Sequence, residues 1–125
     1  MLFDTDVLID VQKGLKKAAE LINKTEERYI SIYTYMELMQ CAFDKQQHRV
    51  IKNFLNDLFF ITLPITEDIA HRASIYVEEY TLSCSLRAGD AIVASTAIEN
   101  NMVLCSSNKK HFSPIKELQF KHFAK

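Results

Sequence analysis

Short apolar runs rich in β-branched and aromatic residues recur along this chain, and each gives way to a longer segment with helical periodicity. "MLF" ends at Asp4 and hands over to a helical stretch that runs to about Gln12, with Gly14 as its break. "LKKAAELINK" is amphipathic, with Leu15, Ala18, Ala19, Leu21 and Ile22 on one side and lysines on the other. "RYISIYT", "FITLP" and "MVLCSS" are the next strand candidates, and "LQFKHF" is a short fifth. Helices are expected between them: in "TYMELMQCAF", in "KQQHRVIKNFLNDLF" with Val50, Ile51, Phe54, Leu55 and Leu58 recurring, in "TEDIAHRASIYVEEY", and in "AGDAIVASTAIENN". Parallel strands need helical crossovers, so the alternation predicts an α/β sandwich around a mainly parallel sheet.

The 125 residues suit one domain spanning 1–125, and two Gly with two Pro leave little material for linkers. Fifteen Lys and Arg against sixteen Asp and Glu give a net charge of −1, which excludes a protein that coats nucleic acid by bulk charge. Any such contact must be local; Lys13, Lys16 and Lys17, the pair Lys109 and Lys110, and Lys121, His122 and Lys125 are the clusters, each read as solvated surface. Cys41, Cys84 and Cys105 are odd in number, far apart and among apolar neighbours. They read as small buried side chains in a reducing cytosol, with no CxxC pair for zinc or redox work. No signal core or membrane span is evident, so a soluble, cytoplasmic protein is expected.

Ligands of open parallel sheets bind beyond the carboxyl ends of the strands. Sorting the acids by that rule selects Asp4 and Asp6 after the first strand, Glu37 in the first helical turn after the second, Asp90 at the start of the helix before the fourth, and the polar "SSN" after the fourth. Each acid has a purely structural alternative. Asp4 or Asp6 would serve as a helix N-cap, Glu37 would close a capping box with Thr34 in "TYME", and Asp90 would favour a helix dipole. All of them occupying one kind of position is the stronger observation. Clustered carboxylates raise one another's pKa unless a cation compensates them. An all-oxygen set without His or Cys suits Mg²⁺ or Mn²⁺, ions that act on phosphate esters.

"DTDVLID", "YMEL" around Glu37, "LRAGDAIVASTAI" around Asp90 and "LCSSNKKHF" together resemble the PIN-domain ribonucleases, and within them the VapC-type toxins of toxin–antitoxin pairs. The resemblance covers essentially the whole chain. It implies a three-layer α/β/α sandwich with a mainly parallel four- to five-stranded sheet, and a Mg²⁺- or Mn²⁺-dependent endoribonuclease whose catalytic acids are Asp4, Glu37 and Asp90. Asp4 and Asp90 would be the principal metal ligands, with Glu37 and Asp6 completing or supporting the shell. Many PIN domains carry a fourth acid where this chain has Asn108 and then His111, and Ser107 and Asn108 would there bind the RNA phosphate. A homodimer and a cognate VapB-type antitoxin are also implied, with Tyr33, Tyr35 and Phe43 as aromatics available to interfaces. Two other readings stay open: a non-catalytic PIN-like module that binds RNA or protein, and an aspartate-nucleophile phosphatase, whose opening "DTDVLI" resembles.

Overall fold

A computed structural model describes all residues 1–125. In chain order the elements are β1 (Leu2–Phe3), α1 (Thr5–Gln12), α2 (Lys16–Lys24), β2 (Tyr29–Ser31), α3 (Ile32–Gln40), α4 (Lys45–Asp57), β3 (Ile61–Leu63), α5 (Glu67–Cys84), α6 (Ala88–Glu99), β4 (Leu104–Ser106), α7 (Lys109–Phe112) and β5 (Phe120–His122). Every strand pairing is parallel, and the order across the sheet is β3-β2-β1-β4-β5. The sheet is thus parallel throughout rather than mainly so. The chain winds outward from β1 in one direction and from β4 in the other, which makes the crevice between β1 and β4 the topological switch point.

Local chemistry sets the helix starts. Asp4, Ser31, Asp44 and Thr66 each cap a helix, their side chains accepting from backbone N–H groups of the first turn, an arrangement worth about 1 kcal/mol each. The start of α3 corrects the expected Thr34–Glu37 capping box. Ser31 takes the cap, accepting from Tyr33 N at 3.1 Å, so Ile32 and Tyr33 leave the strand for the helix and Glu37 falls in its middle rather than its first turn. That shift turns the Glu37 carboxylate away from the helix terminus and toward α1.

Strand alternation divides the core into two layers. Leu2 and Leu104 point to one side, where they pack with Tyr76, Leu86, Val93 and Phe112. Phe3, Ile30 and Cys105 point to the other, against Leu8, Ile22, Leu38 and Leu55. The register pairs like with like, Leu2 beside Leu104 and Phe3 beside Cys105, so α5 and α6 cover one face, α1 to α4 cover the other, and the expected three layers result. On α6, Ala91, Ala94, Ser95, Thr96 and Ala97 are all buried; their small side chains let that helix lie close to the sheet and fix the position of Asp90. One expectation about the core fails. Cys41 is exposed, Cys84 half-buried, and only Cys105 is buried. Val50 is 59% exposed, because Ile51 and Leu55 supply the buried stripe of α4.

Candidate active site

Asp4 leaves β1 at the carboxyl end of the central strand, with its own N–H held by Cys105 O at 2.9 Å. Its carboxylate is engaged on both oxygens. Oδ1 accepts from Thr5 N at 2.9 Å, and Oδ2 accepts from the hydroxyl of Ser106, a fully buried residue at the end of β4, at 2.7 Å. Asp4 is therefore both the N-cap of α1 and a wall of the β1–β4 crevice; the structural and functional readings of this residue are compatible. Two residues further on, Asp6 Oδ2 accepts from Ser107 N at 3.0 Å and from the Ser107 hydroxyl. Asp6 Oδ1 is buried without a hydrogen-bond partner.

Glu37 reaches the same cleft from α3. The Thr5 hydroxyl donates to Glu37 Oε1 at 2.5 Å and shares a 3.2 Å hydrogen bond with the Thr34 hydroxyl. The Tyr33 phenol lies in the cleft too. Burial and the negative charges of Glu37, Asp90 and Asp4, together with a hydrogen bond to Glu37, hold its pKa above the usual tyrosine range. Its ring lies over Gly89, where a Cβ would meet the phenol oxygen at 2.3 Å, so the backbone of α6 approaches as closely as it does only because residue 89 lacks a side chain.

Asp90 stands in the first turn of α6, where its Oδ2 accepts from Arg87 N at 3.1 Å. The same oxygen lies 3.0 Å from His111 Nδ1, which in turn is 2.8 Å from Asn108 Nδ2. Asn108 N donates to Ser106 Oγ at 3.0 Å. Asp4, Ser106, Asn108, His111 and Asp90 thus form one continuous relay of contacts around the cleft. The "SSN" segment and His111 are parts of the site's frame rather than a loose polar loop.

The electrostatics reflect this crowding. Burial, followed by the charges of Asp6 and Asp90, raises the Asp4 pKa from 3.8 to about 7, against the opposing effect of its hydrogen bonds to Ser106 and Thr5. The adjacent Cys105 thiol is pushed up to about 11, chiefly by burial, which makes it a poor nucleophile. No three His, Cys, Asp or Glu side chains are drawn into a closed cation cage, since Asp4, Asp6, Glu37 and Asp90 are turned to the protein donors just named. A divalent cation nevertheless fits the donor set. All the contributed atoms are carboxylate oxygens, the repulsion raising Asp4 is what a cation relieves, and Asp6 Oδ1 is a buried acceptor in want of a partner.

Each acid singled out in the sequence lies at this edge of the sheet. Sequence reasoning missed Thr5 and Gly89, and gave Thr34 only a helix-capping role and Tyr33 only an interface one. Thr5 sits between the two acids in "DTD" and Gly89 directly precedes Asp90, so adjacency was the one available signal.

An acidic cleft at the switch point of an all-parallel, three-layer α/β sheet is the architecture of the PIN-domain family, and this chain belongs to it: residues 1–118 match the PIN domain. Over 125 residues the chain is 33% identical to Ribonuclease VapC1 of Methanocaldococcus jannaschii, a match covering 100% of this chain and 88% of that protein. Its structure is similar to a chain of a toxin–antitoxin complex from Klebsiella pneumoniae, at 31% identity and a TM-score of 0.76, covering 94% of this chain and 93% of the other. The DNA-bound VapBC of Salmonella typhimurium contains a chain of the same fold, with a TM-score of 0.82 at 18% identity over 98% of this chain and 97% of that one.

Proposed function

We propose that this chain is an endoribonuclease dependent on Mg²⁺ or Mn²⁺, acting in the cytoplasm as the toxin of a toxin–antitoxin pair. The observation that carries this reading is the convergence of Asp4, Asp6, Glu37 and Asp90 on the cleft at the carboxyl edge of the sheet, where burial and the neighbouring charges of Asp6 and Asp90 push the Asp4 pKa up to about 7. A protein that keeps such a cluster where a cap alone would suffice gains from it only if a cation joins it. Family membership and the 33% identity to a ribonuclease point to the same chemistry.

In this mechanism Asp4 and Asp90 would hold the ion, with Asp6 and Glu37 completing the set. A bound divalent ion supplies an activated water and stabilises negative charge on the phosphate oxygens. Ser106 fixes the orientation of Asp4, and Ser107 does the same for Asp6. Thr5 holds Glu37 facing the cleft, where its carboxylate would take a proton from the attacking water. Asn108, held at the rim by Ser106 and His111, is placed to donate to a phosphate oxygen. Single-stranded RNA suits a cleft that the backbone must enter.

The partner is a VapB-type antitoxin, as in the complexes that the fold resembles. A groove of about 580 Å³ lined by Ile9, Val11, Phe43, Val50, Ile51 and Phe54 is available to it. Phe43, 90% exposed at its rim, is an anchor for an apolar segment. A homodimer would cover the edge strand β3, where Phe59 and Ile61 are exposed.

The test uses the chain freed of antitoxin and incubated with total cellular RNA, with Mg²⁺, with EDTA, and as Asp4→Asn and Asp90→Asn variants. Cleavage should require the metal and fall by about 100-fold or more in either variant. Metal-dependent cleavage that survives both substitutions would overturn the site, and no cleavage of any RNA would favour a binding module.

A further inference from the structure

Helix α4 carries a feature that neither the catalytic cleft nor the apolar groove uses. Lys45, His48, Arg49 and Lys52 line a hollow of about 370 Å³ along its flank, and no other residue contributes to it. Their spacing of three and four residues puts all four on one face. None of them has a carboxylate within ion-pair distance; the ion pairs of this chain are Arg72–Glu99, His111–Asp90 and Lys125–Asp10.

Folding does not account for this row. Like charges three and four residues apart destabilise a helix. Cations in the first turns also oppose the dipole, whose positive end lies there, and Lys45 is the first residue of α4. The row is held in place all the same: His48 Nε2 donates to Met39 O at 2.8 Å, tying α4 to the last turn of α3. That contact sets its distance from the catalytic acids. Helix α3 turns Tyr33 and Glu37 to the cleft, whereas Tyr35 lines a hollow with Lys52 on the other side. Helix α3 therefore lies between the basic row and the acids.

We infer that the α4 row is a phosphate-backbone track that receives single-stranded RNA as it enters the cleft. The inference rests on the ribonuclease reading and explains a difficulty in it. With a net charge of −1 and four carboxylates in the cleft, the site repels the polyanion it must cut, so affinity has to come from cations close by but outside it. A backbone track also fits better than a protein interface. The hollow has no apolar residue, whereas protein hot spots are built on buried aromatic and apolar anchors; on α4 those lie on a different flank, at Val50 and Phe54.

The test is a triple variant, Lys45→Gln with Arg49→Gln and Lys52→Gln, in which glutamine preserves helix propensity. Binding of a labelled RNA of about 12 nucleotides, within the span such tracks cover, is measured by anisotropy in EDTA across a salt series. Cleavage of the same RNA and of a dinucleotide is measured with Mg²⁺. The variant should bind about tenfold or more weakly, with a salt slope shallower by about 2, given roughly 0.7 per phosphate contact. Its KM for the longer RNA should rise while kcat and dinucleotide cleavage hold, and its thermal stability should be no lower than the parent's, since the repulsion along α4 is relieved. Unchanged affinity and slope would overturn the inference, as would unchanged RNA binding combined with loss of a co-expressed antitoxin, which would mark the row as a protein interface. Failure of the wild-type chain to cleave RNA counts against the ribonuclease reading alone, because the binding series decides the track independently.

Discussion

The hydroxyl of Ser106 donates to Asp4 Oδ2 at 2.7 Å, joining residues 102 positions apart in the sequence. Ser106 is wholly buried, so its loss leaves the carboxylate short of a donor that no water replaces. Ser106→Ala should cost about 2 kcal/mol, the usual scale for a hydrogen bond to a charged group, read as a lower urea midpoint at unchanged slope. The same variant should cut RNA more slowly, since Asp4 loses its fixed orientation. A midpoint equal to that of the parent would remove Ser106 from the account of the site.

His111 Nδ1 lies between Asn108 Nδ2 and Asp90 Oδ2, 2.8 Å from one and 3.0 Å from the other. It acts on Asp90 from behind and is a positioning residue. His111→Ala should weaken Mn²⁺ binding by about 10- to 100-fold, the usual effect of removing a partner that orients a metal ligand. Titration calorimetry of the variant and the parent measures this without reference to turnover. Equal affinities would reduce His111 to a surface contact.

Gly89 and Tyr33 form a tight pair, with room for no Cβ beneath the phenol. Gly89→Ala should displace the ring, loosen Glu37 and destabilise the protein by about 1–3 kcal/mol. The double variant with Tyr33→Ala should recover most of that stability but not the activity. If the two losses of stability simply add, the residues are not in contact and this wall of the cleft is wrongly drawn.

Asp4 binds its proton more tightly folded than unfolded, since its pKa rises from 3.8 to about 7. Its contribution to stability is therefore best below about pH 4, declines as the pH climbs toward 7 at up to about 1.4 kcal/mol per unit, and is level above that. In EDTA, the melting temperature of the parent should fall across this window relative to that of Asp4→Asn, which lacks the titrating group. Millimolar Mg²⁺ should raise the parent's melting temperature at pH 8 and do so much less at pH 5, where the carboxyl keeps its proton. A melting temperature indifferent to Mg²⁺ at pH 8 would argue against cation binding by Asp4.

The order of strands and helices was readable because period-2 and period-3.6 patterns are local properties of the chain. The position of each strand in the sheet was not: β1 is two residues long, and nothing in "MLF" says that it will sit between β2 and β4. The start of α3 was misplaced because Ile32 and Tyr33 extend the strand-like composition of β2, while the decision is made by one hydroxyl, that of Ser31, meeting one N–H. The acids themselves stood out by position. Their supports did not, since a Thr, a Tyr or a Gly acquires a role only when another element packs against it. The basic row of α4 escaped notice for a related reason: "KQQHRVIK" resembles any solvated helix until the neighbours of each face are known.

The placement of β1 at the centre of an all-parallel sheet has a consequence for how such a protein is made. Asp4 leaves the ribosome well ahead of β4 and Ser106, which form the opposite wall of its crevice, Ser106 following it by 102 positions. Until β4 is made, the chain carries the Asp4 carboxylate and no cleft. A product ending before Leu104 lacks that wall altogether, so the order of synthesis itself keeps the Asp4 carboxylate without its crevice until β4 has joined the sheet.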